Sequence, residues 1–301
     1  MHNNKKHTKK TVLITGGSGL LAVNWASLMR HKFNIVLCLH EFLIEVDGVK
    51  EIVCSLDSIS SIVKCLKQED PHIVIHAAAI TNVEKCEVNP KLAEYVNVTI
   101  SKNIAIACDE QHIRLVHIST DHLFNGNDSL YSEKNPFSPV NIYGLTKSRS
   151  ETLSLKYNDK SLIIRTNFFG WGLYHRHSFS DFIFNALMNR HKLELFDNVF
   201  YTPIFVDVLV ETVHELIENN ATGVFNVVCD ERISKYKFGI KLARVFKLRD
   251  DLIIPSDFLN SNLVKRPLDM SLSNKKVCNV IGKNLGDVDK HLYMLSRKRH
   301  K

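Results

Sequence analysis

Disulfide and metal-binding patterns are missing from this 301-residue chain. Its seven cysteines include no CxxC pair and lie mostly within apolar runs. This usage is typical of reduced, buried thiols in a cytoplasmic protein. The fifteen histidines are scattered, without HExxH or another ligand spacing, so we expect no metal site.

Long hydrophobic runs are absent as well. No stretch reaches the roughly 18 consecutive apolar residues of a membrane span, and the N-terminus is polar and rich in His and Lys. We therefore expect neither a membrane partner nor a signal peptide. Hydrophobic residues make up 45% of the chain and charged residues 24%, which is typical of a globular protein and excludes disorder.

The formal charge of +7 resides in two short tails. Residues 1–10 and 297–301 hold eight Lys and Arg and no acid, which leaves 31 bases against 32 acids elsewhere. Short basic tails are commonly solvated and mobile. We therefore expect no nucleic-acid partner.

The first apolar run predicts a dinucleotide-binding turn. A strand at residues 11–15 leads into Gly16-Gly17-Ser18-Gly19 and then into a helical stretch. This order brings backbone N–H groups to a pyrophosphate at a helix N-terminus. The next strand ends at His40 and Glu41, where an acid favours NAD and a base favours NADP. The two residues leave this choice open, and we place NADP(H) slightly ahead of NAD(H).

Strands and helices alternate over the first half of the chain. Further strands are predicted at residues 72–76, 113–118 and 161–166, with helices at 58–69, 89–111 and around Tyr143. This pattern predicts an α/β fold with a doubly wound parallel sheet, a Rossmann-type fold. We expect a dinucleotide-binding domain at 11–166 and a smaller α/β lobe at 167–296, mainly substrate-binding and interleaved with the first domain. Basic tails at 1–10 and 297–301 flank them.

Two places carry side chains suited to catalysis. Ser119-Thr120-Asp121 ends a predicted strand, at the edge where open parallel sheets bind ligands. Tyr143 and Lys147 are four residues apart on the next helix and so share one face. An ammonium group favours the phenolate, whose usual pKa is about 10, and so brings the phenol proton within reach of chemistry.

Seven motifs, taken together, resemble the extended short-chain dehydrogenase/reductases, and within them the dTDP-4-dehydrorhamnose reductase branch. The match runs from about Thr11 to Lys276 and follows the family's order and spacing. In chain order the motifs are GGSGLLA, HAAAITNVEKCE, STDHLFNG, VNIYGLTKSRSE, RTNFFGWG, DNVFYTPIFV and VKRPLDMSLSNKKV.

The resemblance implies a catalytic triad of Thr120, Tyr143 and Lys147. The nicotinamide would deliver hydride to a ketone carbon, and Tyr143 would protonate the forming alkoxide. Lys147 would hold the nicotinamide ribose and lower the pKa of Tyr143, while Thr120 would hydrogen-bond the carbonyl oxygen. Asn97 matches a helix Asn that helps to order this site.

The resemblance also implies the binding residues of a nucleotide-sugar enzyme, and it is compatible with a homodimer. Those for the cofactor are Gly16, Gly19, Leu20 and Leu21 at the pyrophosphate, with Ala77 and Ala78 on the nicotinamide side. Those for the substrate are Thr81, Val83, Glu84, His122, Asn167 and Phe168, with Arg232 and Arg266 for the nucleotide diphosphate. We interpret Trp171 as a core aromatic residue in preference to a stacking platform.

Three departures from the family pattern leave the ligands open. His122 replaces a Tyr and Phe168 replaces a Trp, both close to the sugar in that family. Ser55 stands where members often carry an acid near the adenine, and Asp57 is displaced by two positions.

The leading interpretation is therefore NAD(P)H-dependent reduction of a nucleotide-linked 4-keto-6-deoxy sugar, in the biosynthesis of deoxysugar or polysaccharide precursors. An epimerase using bound NAD is an alternative, as is a non-catalytic NADP-binding subunit like that of methionine adenosyltransferase. A 4,6-dehydratase is less favoured, because that family follows its Thr with Asp-Glu, whereas Asp121-His122 follow Thr120 here.

Overall fold

A computed structural model describes residues 9–40, 42–174 and 176–298 of the chain. Glu41, one of the predicted cofactor residues, and most of the two basic tails lie outside the described residues. Within those ranges, no helix is both long enough and apolar enough to cross a membrane. The seven cysteines are free thiols.

The strands of the described chain are mostly short. In chain order they are β1 (Thr11–Thr15), β2 (Asn34–Leu39), β3 (Lys50–Val53), β4 (Ile73–His76), β5 (Arg114–Ile118), β6 (Leu162–Arg165), β7 (Phe168–Phe169), β8 (Leu193–Phe196), β9 (Phe200–Tyr201), β10 (Ile204–Phe205), β11 (Gly223–Asn226), β12 (Ile233–Ser234) and β13 (Ile253–Ser256).

Helices connect most of these strands. They are α1 (Leu20–Met29), α2 (Ile59–Glu69), α3 (Val83–Val88), α4 (Pro90–Glu94), α5 (Ile100–Glu110), α6 (Ile142–Tyr157), α7 (Phe179–Met188), α8 (Val206–Glu218), α9 (Lys235–Val245), α10 (Lys275–Ile281) and α11 (Val288–Arg297). One π-helical segment (Tyr95–Thr99) and two short 3₁₀ segments (Asp250–Leu252 and Phe258–Asn260) complete the set.

A seven-stranded parallel sheet forms the centre of the fold, in the order β11-β6-β5-β4-β1-β2-β3. The order reverses at β1, and the crevice beside this reversal is where doubly wound sheets bind ligands. The prediction of a Rossmann-type α/β fold is confirmed. Six further strands pair into three two-stranded sheets: β7 with β10, β9 with β12, and β8 with β13.

Alternation along the sheet strands builds a core on each face. On β1, Val12 and Ile14 face the core that includes α1 and α8, while Leu13 faces the core of α2 and α5. Both faces are covered by helices, which explains why the central strands are apolar at nearly every position. Strand β11 comes from the second half of the chain, so residues 167–296 contribute to the main sheet as well.

The predicted helix at residues 89–111 is divided into three parts. Asn89 caps α4 through its side chain, which accepts a hydrogen bond from the Leu92 N–H at 3.1 Å. The π-helical segment follows, and α5 completes the run. A one-residue widening of this kind often occurs at functional sites, and here it carries the buried Asn97.

Candidate active site

The glycine turn after β1 forms one wall of a cleft at the carboxyl edge of the sheet. Gly16 has a φ of +68°, and a Cβ atom there would lie 2.9 Å from Ala78 Cα. The turn closes through Gly19 N–H, which donates to Gly16 O at 2.8 Å. Helix α1 follows directly, and its N-cap residue Gly19 has no side chain to offer the first N–H groups of the helix.

The opposite wall carries the predicted triad. A cavity of about 370 Å³ is lined by the glycine turn and by Ala77, Ala78, Thr120, Tyr143 and Lys147. Tertiary structure thus brings together residues from the ends of β1, β4 and β5 and from the first two turns of α6. Their convergence in one cavity follows from the parallel sheet, whose strands all end at this edge.

Helix α6 starts where Asn141 caps it. The Asn141 side chain accepts from Gly144 N–H at 2.8 Å and donates to Lys265 O at 3.0 Å, which fixes the helix end against the C-terminal half. Tyr143 is 7% exposed and Lys147 is 3% exposed. The two catalytic candidates therefore lie on a rigid, buried helix face.

Lys147 makes two contacts with β5. Its Nζ donates to Ile118 O at 2.7 Å and lies 3.4 Å from His117 Nε2. Burial lowers the pKa of Lys147 to about 8, and the negative charge of Glu151 opposes this lowering. Lys147 is therefore mostly in its ammonium form at neutral pH and loses its proton around pH 8.

The pKa of Tyr143 moves in the direction opposite to the prediction. Burial raises it, and a side-chain hydrogen bond with Thr120 only partly offsets the rise. The predicted lowering by Lys147 is therefore not what the structure shows, because desolvation outweighs the effect of nearby groups. A raised pKa keeps the phenol protonated at neutral pH.

Asn97 connects three segments around the triad. Its Oδ1 accepts from Ile80 N–H at 2.8 Å, and its Nδ2 donates to Ile80 O at 3.1 Å and to Thr146 Oγ1 at 3.0 Å. Asn97 is fully buried; its hydrogen bond with Thr146 is buried too, and those with Ile80 are partly buried. The side chain fixes the segment after Ala79 to the helix that bears Tyr143 and Lys147, which agrees with its predicted ordering role.

The predicted substrate and cofactor residues divide into those that line the cavity and those that do not. Thr81, His122, Asn167 and Phe168 line the cavity together with the triad, as do the cofactor residues Leu20 and Leu21. Val83, Glu84, Arg232, Arg266 and His40 do not line it.

Packing or ion pairs engage four of the residues that do not line the cavity. Val83 is 6% exposed and packs in a small apolar cluster with Tyr143, so its side chain contacts that cluster and does not line the cavity. Arg266 pairs with Glu84 at 2.7 Å. Arg232 pairs with Asp269 at 2.6 Å and lies over the Phe200 ring at 3.7 Å. Each arginine already has a carboxylate partner.

Sequence reasoning missed several cavity residues. Asp121 is 1% exposed, accepts from Asn167 Nδ2 at 2.6 Å, and lies 4.0 Å from His122 Nε2. Arg176 donates to Thr81 Oγ1 at 3.1 Å across the cavity. Asp121 stood next to Thr120 in a motif that pointed to it, whereas nothing in the sequence marked Arg176.

Trp171 is a core residue, as interpreted from the sequence. It is 8% exposed and makes edge contacts with Phe184 and Phe246 at 5.3 and 5.5 Å between ring centroids. It does not line the cavity.

The fold and the cavity together define a Rossmann-type α/β protein with a Thr–Tyr–Lys group at the carboxyl edge of its sheet. Residues 10–297 match the family described as RmlD substrate binding domain, and the chain belongs to this family. The resemblance read from the seven motifs is thereby confirmed.

Two curated relatives and one solved structure illustrate the similarity. The probable low-salt glycan biosynthesis reductase Agl14 of Haloferax volcanii is 31% identical, over 61% of this chain and 63% of its own. The dTDP-4-dehydrorhamnose reductase of Escherichia coli K12 is 30% identical, over 56% of this chain and 58% of its own. The chain thus matches about three fifths of each relative's length.

The solved structure resembles the whole chain. It is the dTDP-4-dehydrorhamnose reductase of Bacillus anthracis in complex with NADP, with a TM-score of 0.86, 22% identity, and coverage of 97% of this chain and 100% of its own. At this identity the likeness supports the fold.

Proposed function

We propose that the chain is an oxidoreductase that uses NAD(P)H to reduce the ketone of a nucleotide-linked 4-keto-6-deoxy sugar. The convergence of Thr120, Tyr143 and Lys147 in the cavity formed with the glycine turn carries the proposal. Two relatives named as reductases, one of them a dTDP-4-dehydrorhamnose reductase, support the substrate class.

The residues of the cleft fit a dinucleotide. At Gly16 any side chain would collide with the Ala78 backbone, so the turn and the segment after β4 leave only backbone at their closest approach. The uncapped N-terminus of α1 supplies N–H groups for a pyrophosphate. When bound, the nicotinamide cofactor supplies the hydride.

The proposal includes a preference for NADP(H) over NAD(H). His40 is exposed directly after β2, at the strand end where a base favours the 2′-phosphate. The similar Bacillus anthracis protein was solved with NADP.

The catalytic residues act on one proton and one oxygen. Tyr143 donates its phenolic proton to the alkoxide, and burial keeps that proton in place until the substrate oxygen becomes basic. Thr120 donates a hydrogen bond to the same oxygen, which stabilises charge that develops in the transition state. Lys147 places a positive charge beside them, which favours the phenolate that remains.

The substrate side of the proposal uses Thr81, His122, Asn167 and Phe168, which line the cavity beyond the triad. Arg266 and Arg232 remain candidates for the diphosphate, and a phosphate oxygen would then compete with their carboxylate partners. In this proposal residues 11–166 hold the cofactor, and 167–296 contribute mainly to the substrate lobe.

A panel of nucleotide-linked 4-keto-6-deoxy sugars tests the proposal. Each is mixed with the purified protein and NADPH or NADH, and cofactor oxidation is followed by nicotinamide absorbance. We expect one cofactor oxidised per ketone reduced. An epimerase would instead retain bound NAD and need no reductant, and a regulatory subunit would bind NADP and a partner protein without turnover.

Replacing Tyr143 with phenylalanine tests the proton donor. Tyr143→Phe removes one hydroxyl and keeps the ring packed against the apolar cluster of α3 and α4. We expect turnover to fall by roughly 100- to 10,000-fold, the usual contribution of a general acid, with cofactor affinity unchanged. Turnover equal to that of the wild type would refute the assignment.

A further inference from the structure

A third buried residue continues the catalytic face of α6. Tyr143, Lys147 and Glu151 follow one another at intervals of four residues, so they lie one above the other along one face. Glu151 is 1% exposed. Because a buried carboxylate is costly unless it is paired, its partners indicate what it does.

Glu151 bonds to the strand that presents Thr120. Its Oε1 accepts from Ser119 Oγ at 2.5 Å, and Ser119 directly precedes Thr120. The Ser119 N–H donates to Ile164 O at 2.7 Å, which fixes the same residue from β6. The carboxylate therefore holds the peptide that carries Thr120 at a defined distance from the helix that carries Tyr143.

Glu151 also pairs with Arg165 at the end of β6. Arg165 Nε lies 3.0 and 3.1 Å from the two carboxylate oxygens, and Nη2 lies 2.8 Å from Oε2. The guanidinium is 5.7 Å from the Phe124 ring centroid and 5.1 Å from that of Phe137. Two residues further on, Asn167 lines the cavity. One carboxylate thus joins α6 to the ends of β5 and β6.

We propose that Glu151 is a positioning residue of the active site, whose carboxylate fixes the Thr120 peptide against α6 and whose negative charge keeps Lys147 in its ammonium form. The proposal rests on the proposed reductase function, since it assigns a role within that site. Glu151 itself does not line the cavity and acts only through Ser119 and Lys147.

Among the titratable groups packed around Lys147, Glu151 supplies the negative charge that favours the ammonium form. On β5, His117 lies 3.4 Å away, and on β4, His76 lies behind it with 5.3 Å between the two ring centroids. Burial lowers the pKa of both imidazoles, so they are neutral and offer Lys147 no negative charge. On β6, Arg165 is positive, and on α6 itself the raised pKa of Tyr143 keeps the phenol neutral.

The pH dependence of kcat/KM distinguishes this role from a purely structural one. In the wild type, we expect kcat/KM to fall as pH rises through the pKa of Lys147, which is about 8 in the structure. Glu151→Gln removes the charge and keeps the shape. We expect kcat/KM of this variant to fall at a pH about one unit or more below that of the wild type. This shift follows from the Coulomb energy of two charges one helical turn apart.

Three further variants separate the effects. Glu151→Gln/Arg165→Met removes both charges and so leaves no unpaired buried cation. This double variant tests the role of Glu151 if Glu151→Gln alone does not fold. Ser119→Ala keeps the charge and should lower kcat without moving the alkaline limb. Glu94→Gln is the matched control, because Glu94 also pairs with α6, through Arg149 at 3.1 Å, but on the exposed surface. It should change neither quantity.

A measurement without turnover keeps the two proposals distinguishable. Competitive labelling with acetic anhydride, read by mass spectrometry, reports the neutral fraction of Lys147 against pH. We expect labelling of Lys147 to begin at lower pH in both Glu151 variants. If the wild type reduces no ketone, the proposed function fails and this curve still tests the role of Glu151. An unchanged alkaline limb and an unchanged labelling curve in both variants would overturn it.

Discussion

Gly144, the residue after the proposed proton donor Tyr143, offers a sharp test of how the site is held. A Cβ atom at this position would overlap His122 O and lie 3.0 Å from Pro139 Cβ. The backbone there is helical, so the objection to a side chain is steric and not conformational. Gly144→Ala must therefore push α6 away from the segment that follows Thr120.

The expected magnitude follows from two opposing effects. Overpacking against rigid neighbours costs typically about 1–3 kcal/mol, and a backbone neighbour places this case near the upper end. Alanine regains about 1 kcal/mol of helix propensity. The free energy of unfolding should thus fall by about 2 kcal/mol, which lowers the melting temperature by roughly 4 °C for a chain of this size.

The effect on catalysis should exceed the effect on stability. Separation of Thr120 from Tyr143 by an ångström would lower kcat on the order of 100-fold. The assay pairs calorimetry with steady-state kinetics at saturating cofactor and ketone.

Gly239→Ala is the matched control for this variant. Gly239 is also helical, but its Cβ would meet the end of the Leu195 side chain and no backbone atom, and Gly239 does not line the cavity. It should leave kcat unchanged. Wild-type stability and kcat in Gly144→Ala would refute the steric argument.

Two further predictions concern the buried polar groups below the cleft. His76 and His117 are neutral in the fold, with the pKa of His76 lowered from 6.5 to about 3. The unfolded chain therefore binds more protons below pH 6.5, and each imidazole should remove up to about 1.4 kcal/mol of stability per pH unit on acidification. The His76→Asn variant should show a shallower fall of melting temperature between pH 6.5 and 5, and an unchanged slope would contradict this. Asn97→Ala removes three hydrogen bonds of a fully buried side chain. The variant should lose about 2–3 kcal/mol in urea unfolding and lower kcat, whereas an exposed asparagine such as Asn219 should tolerate alanine.

The amino-acid sequence determined the parts of this protein that rest on local pattern. Strand, glycine turn and helix around Gly16 predicted a turn at the carboxyl edge of the sheet, where only glycine lets two backbone segments approach so closely. Alternating strands and helices predicted the parallel sheet. The spacing of Tyr143 and Lys147 placed them on one helix face, and the family resemblance added Thr120; the three residues line one cavity.

Only the tertiary structure decided the rest, because it depends on contacts between distant segments and on loss of water. Val83 turns into an apolar cluster, and Arg232 and Arg266 meet carboxylates far along the chain. Arg176 reaches the cleft from a segment without a motif. Desolvation reversed the expected direction of the Tyr143 pKa. The spacing of residues along the chain does not show which side chains are buried, and burial sets the charge states on which the chemistry depends.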